Sequence, residues 1–422
     1  MMEAENSFDV VIVGGGPAGA SAAALLAQKG RKVVVLEKDA FPRYHIGESM
    51  IPFCWHPLER IGMNEKLKDA GFTKKFSVQF VTQDAESSVP FYFSKHSDHP
   101  SSQTWQVERG TFDKMMLCHA CQSGATIKKG VAAKEFITED GVTKGVRAKM
   151  PDGTMQEFLA PITIDATGRD GLACSRNRWR IPDKELKKIA VWSYYTGAKR
   201  DPGIDEGATT VAYVDDKNWF WWIPLQNDRV SVGVVGDKDY LFSDGRDLEK
   251  VLDREIEKNV WIKDHVSTGE RTEPVQATGD YSYRSEYCAA DGLVLIGDAF
   301  SFLDPVFSSG LFLALYSGVL AGDAVDEALS AGDFGAARFA EYGEQFRGAL
   351  EAMRKLVYAF YDPNFSFGAV IKKYPHLRGD LTDCLIGNVE KDFDELFAAV
   401  SEFADVPEPV PHGKPNIVPA PA

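Results

Sequence analysis

The chain opens on an apolar, β-branched run, Phe8 to Val13, that reads as a buried strand. It passes into Gly14-Gly15-Gly16-Pro17-Ala18-Gly19 and then an alanine-rich stretch with helical spacing that ends near Gly30. A second apolar run, Lys32 to Leu36, closes on Glu37, completing a strand–helix–strand opening. Further strands are predicted at Ser77 to Thr82, the approach to Val107, Gly145 to Ala148, Pro161 to Ile164, Thr209 to Val214, Trp219 to Pro224, Arg229 to Val235 and Leu293 to Ile296. Helical periodicity predicts Phe53 to Ile61, Phe112 to Gln122, Arg246 to Lys258, Leu311 to Leu329 and Phe334 to Phe360. The last carries Leu350, Met353, Leu356 and Val357 on one face. A strand-rich, aromatic stretch from about 190 to 275 lies between two parts that read as nucleotide fold, which predicts an inserted sheet domain.

Composition narrows the function classes. With 422 residues, 44% of them apolar, the chain can bury a large core. Its net charge of -15, with no basic block, disfavours nucleic acid, because a phosphate backbone rewards clustered Lys and Arg. The short acidic opening from Met1 to Ser7 is unlike a secretory leader, so a cytoplasmic location is expected. Phe300 to Val325 is the most membrane-like segment, but Asp304, Pro305 and Asp323 interrupt it and predict a buried helix instead. The six cysteines are scattered, and Cys118-His-Ala-Cys121 has no second pair to complete a metal site, so no metal is expected.

Gly14, Gly16 and Gly19 fit G-x-G-x-x-G between a strand and a helix. The first allows the tight turn, the second lets backbone approach a pyrophosphate, and the third packs helix on strand. The helix N-terminus offers N–H groups and a positive dipole end to the phosphates. Glu37 stands about 20 residues on, where a carboxylate takes ribose hydroxyls. The expectation is a dinucleotide site.

Trp219-Phe220-Trp221-Trp222-Ile223-Pro224 places three of eight tryptophans within four residues. As a strand it would turn Trp219 and Trp221 one way and Trp222 the other. The hexapeptide also fits W-x-W-x-I-P, which resembles the signature of flavin-dependent halogenases. Other segments extend the resemblance. Gly297-Asp298-Ala299 after a strand resembles the GDA motif of FAD enzymes of the glutathione-reductase and hydroxylase type, whose aspartate bonds the ribityl chain. Val107 to Asp113 resembles the segment bearing their flavin-site arginine, here Arg109. Asp165 to Gly171 resembles both the A-T-G segment of these folds and a D-G motif of hydroxylases. Asp304-Pro305-Val306-Phe307-Ser308-Ser309-Gly310 is similar to the halide segment, and Gly71 to Phe80 to the stretch carrying the halogenases' lysine. Phe41-Pro42-Arg43 and Gly47-Glu48-Ser49 complete a match over about residues 8 to 320.

The resemblance implies an α/β fold of the glutathione-reductase and hydroxylase type. Its FAD-binding Rossmann part would be assembled from 1–75, 106–188 and 279–330, with substrate-domain strands at 76–105 and an inserted β-sheet substrate domain at 189–278. A C-terminal helical region over 331–406 and a disordered tail over 407–422, proline-rich and poor in core formers, would follow. FAD would be held by Gly14, Gly16, Ala18, Gly19, Glu37, Lys38, Arg43, Ser49, Arg109, Asp298, Pro305 and Gly310. Chloride or bromide would sit on the backbone N–H groups of Ser309 and Gly310, and Trp219, Trp221, Ile223 and Pro224 would form a wall between flavin and substrate.

The implied reaction makes hypohalous acid from halide and a C4a-hydroperoxyflavin, and Lys75, not Lys74, aims the halogen at an aromatic ring. Taken alone, the lysine pair reads as solvated, and Ser308 or Ser309 as an ordinary helix cap. Tryptophan halogenases carry a glutamate at the position matching Phe307, so its absence points to the phenol and pyrrole branch. The reduced flavin would come from a separate NAD(P)H-flavin reductase, and the aromatic substrate free or tethered to a carrier protein. An FAD-dependent hydroxylase, monooxygenase or reductase of the same fold, and an inactive flavin-binding homologue, are the competing readings.

Overall fold

The computed structural model describes residues 7–279 and 282–417. The acidic opening lies outside the described residues, apart from Ser7. Val10–Val13, all four buried, is an interior strand of a seven-stranded sheet. It is flanked in parallel by Val33–Glu37 on one side and Ile162–Asp165 on the other. Thr126–Lys129 lies outside the former and Leu293–Leu295 outside the latter, both parallel. Tyr287–Ala290 adds an antiparallel strand beyond. Buried on both faces, such strands read as continuous apolar runs.

The Pro17–Gln28 helix starts with Pro at its first turn, where a missing N–H costs nothing. It packs against the Gly310–Ala331 helix so closely that a Cβ at Gly318 would lie 2.5 Å from the Ala18 carbonyl oxygen. The small residues of the segment from Phe300 to Val325 are therefore a helix–helix contact. Among the described residues no helix is long and apolar enough to cross a membrane.

The inserted sheet has Trp219–Pro224 near its middle, between Arg229–Asp237 and Thr209–Tyr213, both antiparallel. Ser77–Val81 joins parallel to Thr209–Tyr213, so the strand expected at 77–82 belongs to this sheet. The long strand Lys188–Thr196 pairs with Arg229–Asp237 and was not singled out by its apolar pattern. Phe220 and Trp222 turn toward a separate core under the Leu248–Lys258 and Val260–Val266 helices, with Trp222 set edge-on to Trp261 at 5.4 Å. A three-stranded meander, Ala132–Glu139, Val142–Lys149 and Met155–Leu159, was legible only in its middle strand. A small ribbon pairs Thr73–Lys75 with Thr104–Gln106.

The C-terminal part holds the Ala340–Tyr361 helix and three shorter ones, Phe367–Lys373, Arg378–Ile386 and Asp394–Val400. The expectation of a disordered tail over 407–422 fails for residues 407–417. Lys414–Pro415 pairs in parallel with Tyr287–Ala290 at the edge of the main sheet. Gly413 N–H donates to the Glu286 carbonyl at 2.8 Å, and buried His412 reaches Glu351 at 3.2 Å. Prolines are tolerated at a sheet edge, where few ladder donors are needed. Residues 418–422 lie outside the described residues.

Candidate active site

A cavity of about 800 Å³ runs between the two sheets. At one end lies the glycine turn. Gly14 has φ +108°, and a Cβ there would lie 2.2 Å from the Ala166 carbonyl oxygen; one at Gly19 would lie 2.0 Å from the Gly14 oxygen. Both glycines are required by the fold itself. Gly16 differs: the nearest atom to a Cβ there is the Arg43 guanidinium, at 3.4 Å. Its lack of a side chain leaves room in the cavity, with a cation alongside.

Glu37 is buried, and its carboxylate accepts from Gly15 N–H and Asp39 N–H, both at 2.8 Å, with acceptor capacity left over. Lys38 lies at the rim, paired with Asp170 at 2.5 Å. Asp298 lines the middle of the cavity, where burial lifts its carboxyl to about 6 against the pull of Arg169 and Arg109. Ala18, Pro305 and Gly310 also line it.

Arg109 is buried. It is bidentate to Asp113 at 2.8 and 3.0 Å and donates to the Ile46 and Gly47 carbonyls, both at 3.0 Å. With most of its donors used this way, it clamps the loop that carries Glu48, Ser49 and Met50.

At the other end stands the Trp219–Pro224 strand. Strand alternation turns Trp219, Trp221 and Ile223 to the cavity. Pro224, expected in the same wall, has the opposite parity and is not among the lining residues. The wall is braced by polar contacts: Trp219 Nε1 donates to the Tyr361 hydroxyl at 3.0 Å and Trp221 Nε1 to the Ser231 hydroxyl at 3.0 Å.

Ser309 and Gly310 open the 22-residue Gly310–Ala331 helix onto the cavity. Ser309 is the residue before the first turn, but no side chain caps the helix. The ordinary capping role is therefore not used, and the N-terminal N–H groups and dipole are available to an anion. Asp304 caps the preceding turn through Val306 N–H at 3.0 Å.

Lys74 is exposed, whereas Lys75 is fully buried, so the two lysines are sharply distinguished. Strand alternation explains it: in the Thr73–Lys75 ribbon they point to opposite sides. Lys75 does not line the large cavity. Its Nζ donates to the Ser49 hydroxyl at 2.9 Å and the Met50 carbonyl at 3.1 Å, and it sits 5.8 Å from the centre of the Phe93 ring. Burial lowers its ammonium to about 7, and the neighbouring Cys54, itself pushed up to about 12 by burial, stays a neutral thiol. Among the described residues no carboxylate hydrogen-bonds this amine. Ser49, expected at the cofactor, bonds the Thr209 hydroxyl at 2.9 Å. Ser49 and Thr209 both line the cavity, so a hydroxyl pair bridges the cavity wall to the hidden amine.

This is an arrangement of dinucleotide cradle, anion-ready helix end, aromatic partition and secluded amine, and comparison with known proteins places it. The tryptophan halogenase family model matches residues 9–103 and 94–366. The chain belongs to the flavin-dependent halogenases. This halogenase is 36% identical over 341 residues to flavin-dependent halogenase armH3 of Armillaria mellea, covering 76% of this chain and 67% of that protein. It is 32% identical to a 1H-pyrrole-2-carbonyl-[peptidyl-carrier protein] chlorinase of Pseudomonas fluorescens, over 91% of this chain and 90% of the other. The solved structure of the flavin-dependent brominase Bmp2 superposes with a TM-score of 0.84 at 28% identity, covering 94% of this chain and 97% of that one. The halogenase therefore has the FAD-binding Rossmann-type fold with a C-terminal helical region, and its cofactor is FAD, used in reduced form together with halide.

Proposed function

We propose that this halogenase installs chloride or bromide on an electron-rich ring of the phenol or pyrrole type, with Lys75 passing the halogen to the substrate. The observation that carries the proposal is the buried amine of Lys75, held near neutrality and set apart from the cavity by a wall and two hydroxyls. When bound, reduced FAD with oxygen supplies the oxidising equivalents that turn halide into an electrophile. The chain's residues then divide the work. Gly16, Arg43, Glu37 and Asp298 are placed to hold the cofactor, with Arg109 fixing the loop beside it.

The Gly310–Ala331 helix end is placed to hold the halide as an anion at N–H groups. Trp219, Trp221 and Ile223 exclude substrate from the flavin. Lys75, reacting as a free amine, accepts or hydrogen-bonds the electrophile, and burial is what frees the amine of its proton at ordinary pH. Phe307 stands where tryptophan halogenases carry glutamate, and the relative from Pseudomonas fluorescens acts on a carrier-bound pyrrole. Both support the phenol and pyrrole class, with the ring free or carrier-tethered. A panel of phenols, free and carrier-bound pyrroles, and tryptophan, read by mass spectrometry, tests it. Halogenated phenol or pyrrole is expected, and turnover of tryptophan alone would overturn the substrate class.

We also propose that reduced flavin comes from a separate NAD(P)H-flavin reductase in the cytoplasm. Beyond the first turn, no second strand–glycine–helix unit is legible for a nicotinamide. Anaerobic mixing of the FAD-loaded protein with NADH or NADPH is expected to leave the flavin yellow. Rapid bleaching would favour the hydroxylase instead.

A further inference from the structure

Halogenation of an aromatic ring consumes a proton. The C–H bond, halide, reduced flavin, oxygen and one proton become the C–halogen bond, oxidised flavin and two waters. That proton must reach an oxygen atom inside the cavity, so a group that delivers it there is needed. One buried carboxyl group on the cavity surface is left unused by the account so far.

Glu48 is 3% exposed and lines the cavity. Its Oε1 accepts from the Tyr194 hydroxyl at 2.8 Å, while Oε2 has no hydrogen-bond partner among the described residues. Tyr194 is 1% exposed, and its hydroxyl lies 3.1 Å from that of Tyr44, which is 45% exposed. Trp192 Nε1 donates to the Tyr44 oxygen at 2.6 Å and fixes it. The line of three groups thus leads from a partly exposed tyrosine to a buried carboxyl.

We propose that Tyr44, Tyr194 and Glu48 form a proton relay that feeds the cavity beside the tryptophan wall, with Glu48 as the acid at its inner end. The proposal rests on the halogenase reading above. A hydroxyl both donates and accepts, so the line runs in either sense. With Glu48 ionised, Tyr44 donates to Tyr194 and Tyr194 to the carboxylate. With Glu48 protonated on Oε1, the same bonds reverse. In a cycle Glu48 gives its proton to an oxygen atom derived from dioxygen, which leaves as water, and is refilled through Tyr194 from Tyr44.

The surroundings keep the acid protonated when needed. Burial lifts the Glu48 carboxyl to about 7, against the opposing pull of Ser231, Tyr194, Arg229 and Arg109. Arg229 is engaged by Glu273 and lies 3.9 Å over the Tyr194 ring, and Arg109 by Asp113. Neither guanidinium is a direct hydrogen-bond partner of Glu48. A neutral acid near pH 7 suits proton donation.

Glu48→Gln keeps the shape and removes the acid. Tyr194→Phe keeps the stacked ring and removes the link. Lys75, active as a free amine, sets the acid limb of the rate–pH profile, and Glu48, active as an acid, sets the alkaline limb. Glu48→Gln is expected to lose the alkaline limb and to slow halogenation by roughly 10²-fold. Tyr194→Phe is expected to slow it about tenfold with flavin affinity unchanged.

A second readout needs no turnover. In flavin-free protein the folded state binds the Glu48 proton more tightly than the unfolded chain does. The parent therefore loses stability relative to Glu48→Gln as pH rises from 5 to 8. A melting-temperature gap that widens in favour of Glu48→Gln over that range supports the buried acid, and a constant gap overturns it. Variants that keep the parent's rate–pH profile overturn the relay, while a parent that yields no halogenated product at all overturns the halogenase reading instead.

Discussion

Lys75→Met loses nearly all halogenated product while reduced flavin is still oxidised by oxygen. Methionine replaces the amine with an apolar chain of similar length, so the fully buried site stays filled. Flavin oxidation depends on groups lining the large cavity, and Lys75 is not among them. Loss of a positioned reacting group lowers the rate by about 10²–10⁴-fold. Lys74→Ala, at an exposed position on the other side of the strand, leaves activity near that of the parent.

The same substitution reports on protonation. Burial holds the folded-state ammonium at about 7, below its unfolded value, so the folded protein binds fewer protons than the unfolded chain between about pH 7 and 10.5. Stability of the parent relative to Lys75→Met therefore rises with pH across that window, by an amount on the order of a few kcal/mol. Urea melts at pH 7 and pH 10 check it; a difference that does not change with pH would show that the amine is not desolvated.

The glycine turn separates folding from binding. Gly14→Ala and Gly19→Ala place a Cβ at 2.2 and 2.0 Å from backbone oxygens, so each is expected to destabilise the protein by on the order of 3 kcal/mol or more. At Gly16 an added Cβ meets only the Arg43 guanidinium, at 3.4 Å. Gly16→Val is expected to fold and melt like the parent yet to lose FAD binding by at least about 100-fold, because its side chain occupies the space meant for the pyrophosphate. Calorimetric unfolding and flavin titration check both halves. Unchanged affinity in Gly16→Val would remove the assignment.

Much of this was legible because the chemistry is local in the chain. Gly14 to Glu37 lies in one strand–helix–strand unit, and the period-2 pattern of Trp219 to Pro224 already sorted Trp219 and Trp221 from Trp222. Pro224 was misplaced by extending a motif past the strand's parity. Lys188–Thr196 was missed as a separate strand because burial along nearly its whole length removes alternation. Ala132–Glu139 escaped for the opposite reason, its residues being half-exposed or exposed without an apolar run.

The tail was misjudged because composition speaks of core-forming capacity, whereas an edge strand of two residues needs little of it. Distant contacts left no local trace. The link from Lys75 through Ser49 to Thr209, and that from Glu48 through Tyr194 to Tyr44, join positions far apart in sequence. Only Gly47-Glu48-Ser49 within the resemblance marked the loop, and it gave no hint that Glu48 is buried with an unpartnered oxygen.

The central claim is that the cavity's oxidant is spent on halide and that the halogen, not oxygen, reaches the ring. The most direct measurement is the product mass from purified protein given reduced FAD, oxygen, bromide and an activated phenol. A product bearing bromine is expected, recognised by its paired isotope peaks and absent when halide is omitted. A product gaining only oxygen, whether or not bromide is present, would contradict it and make this chain a hydroxylase.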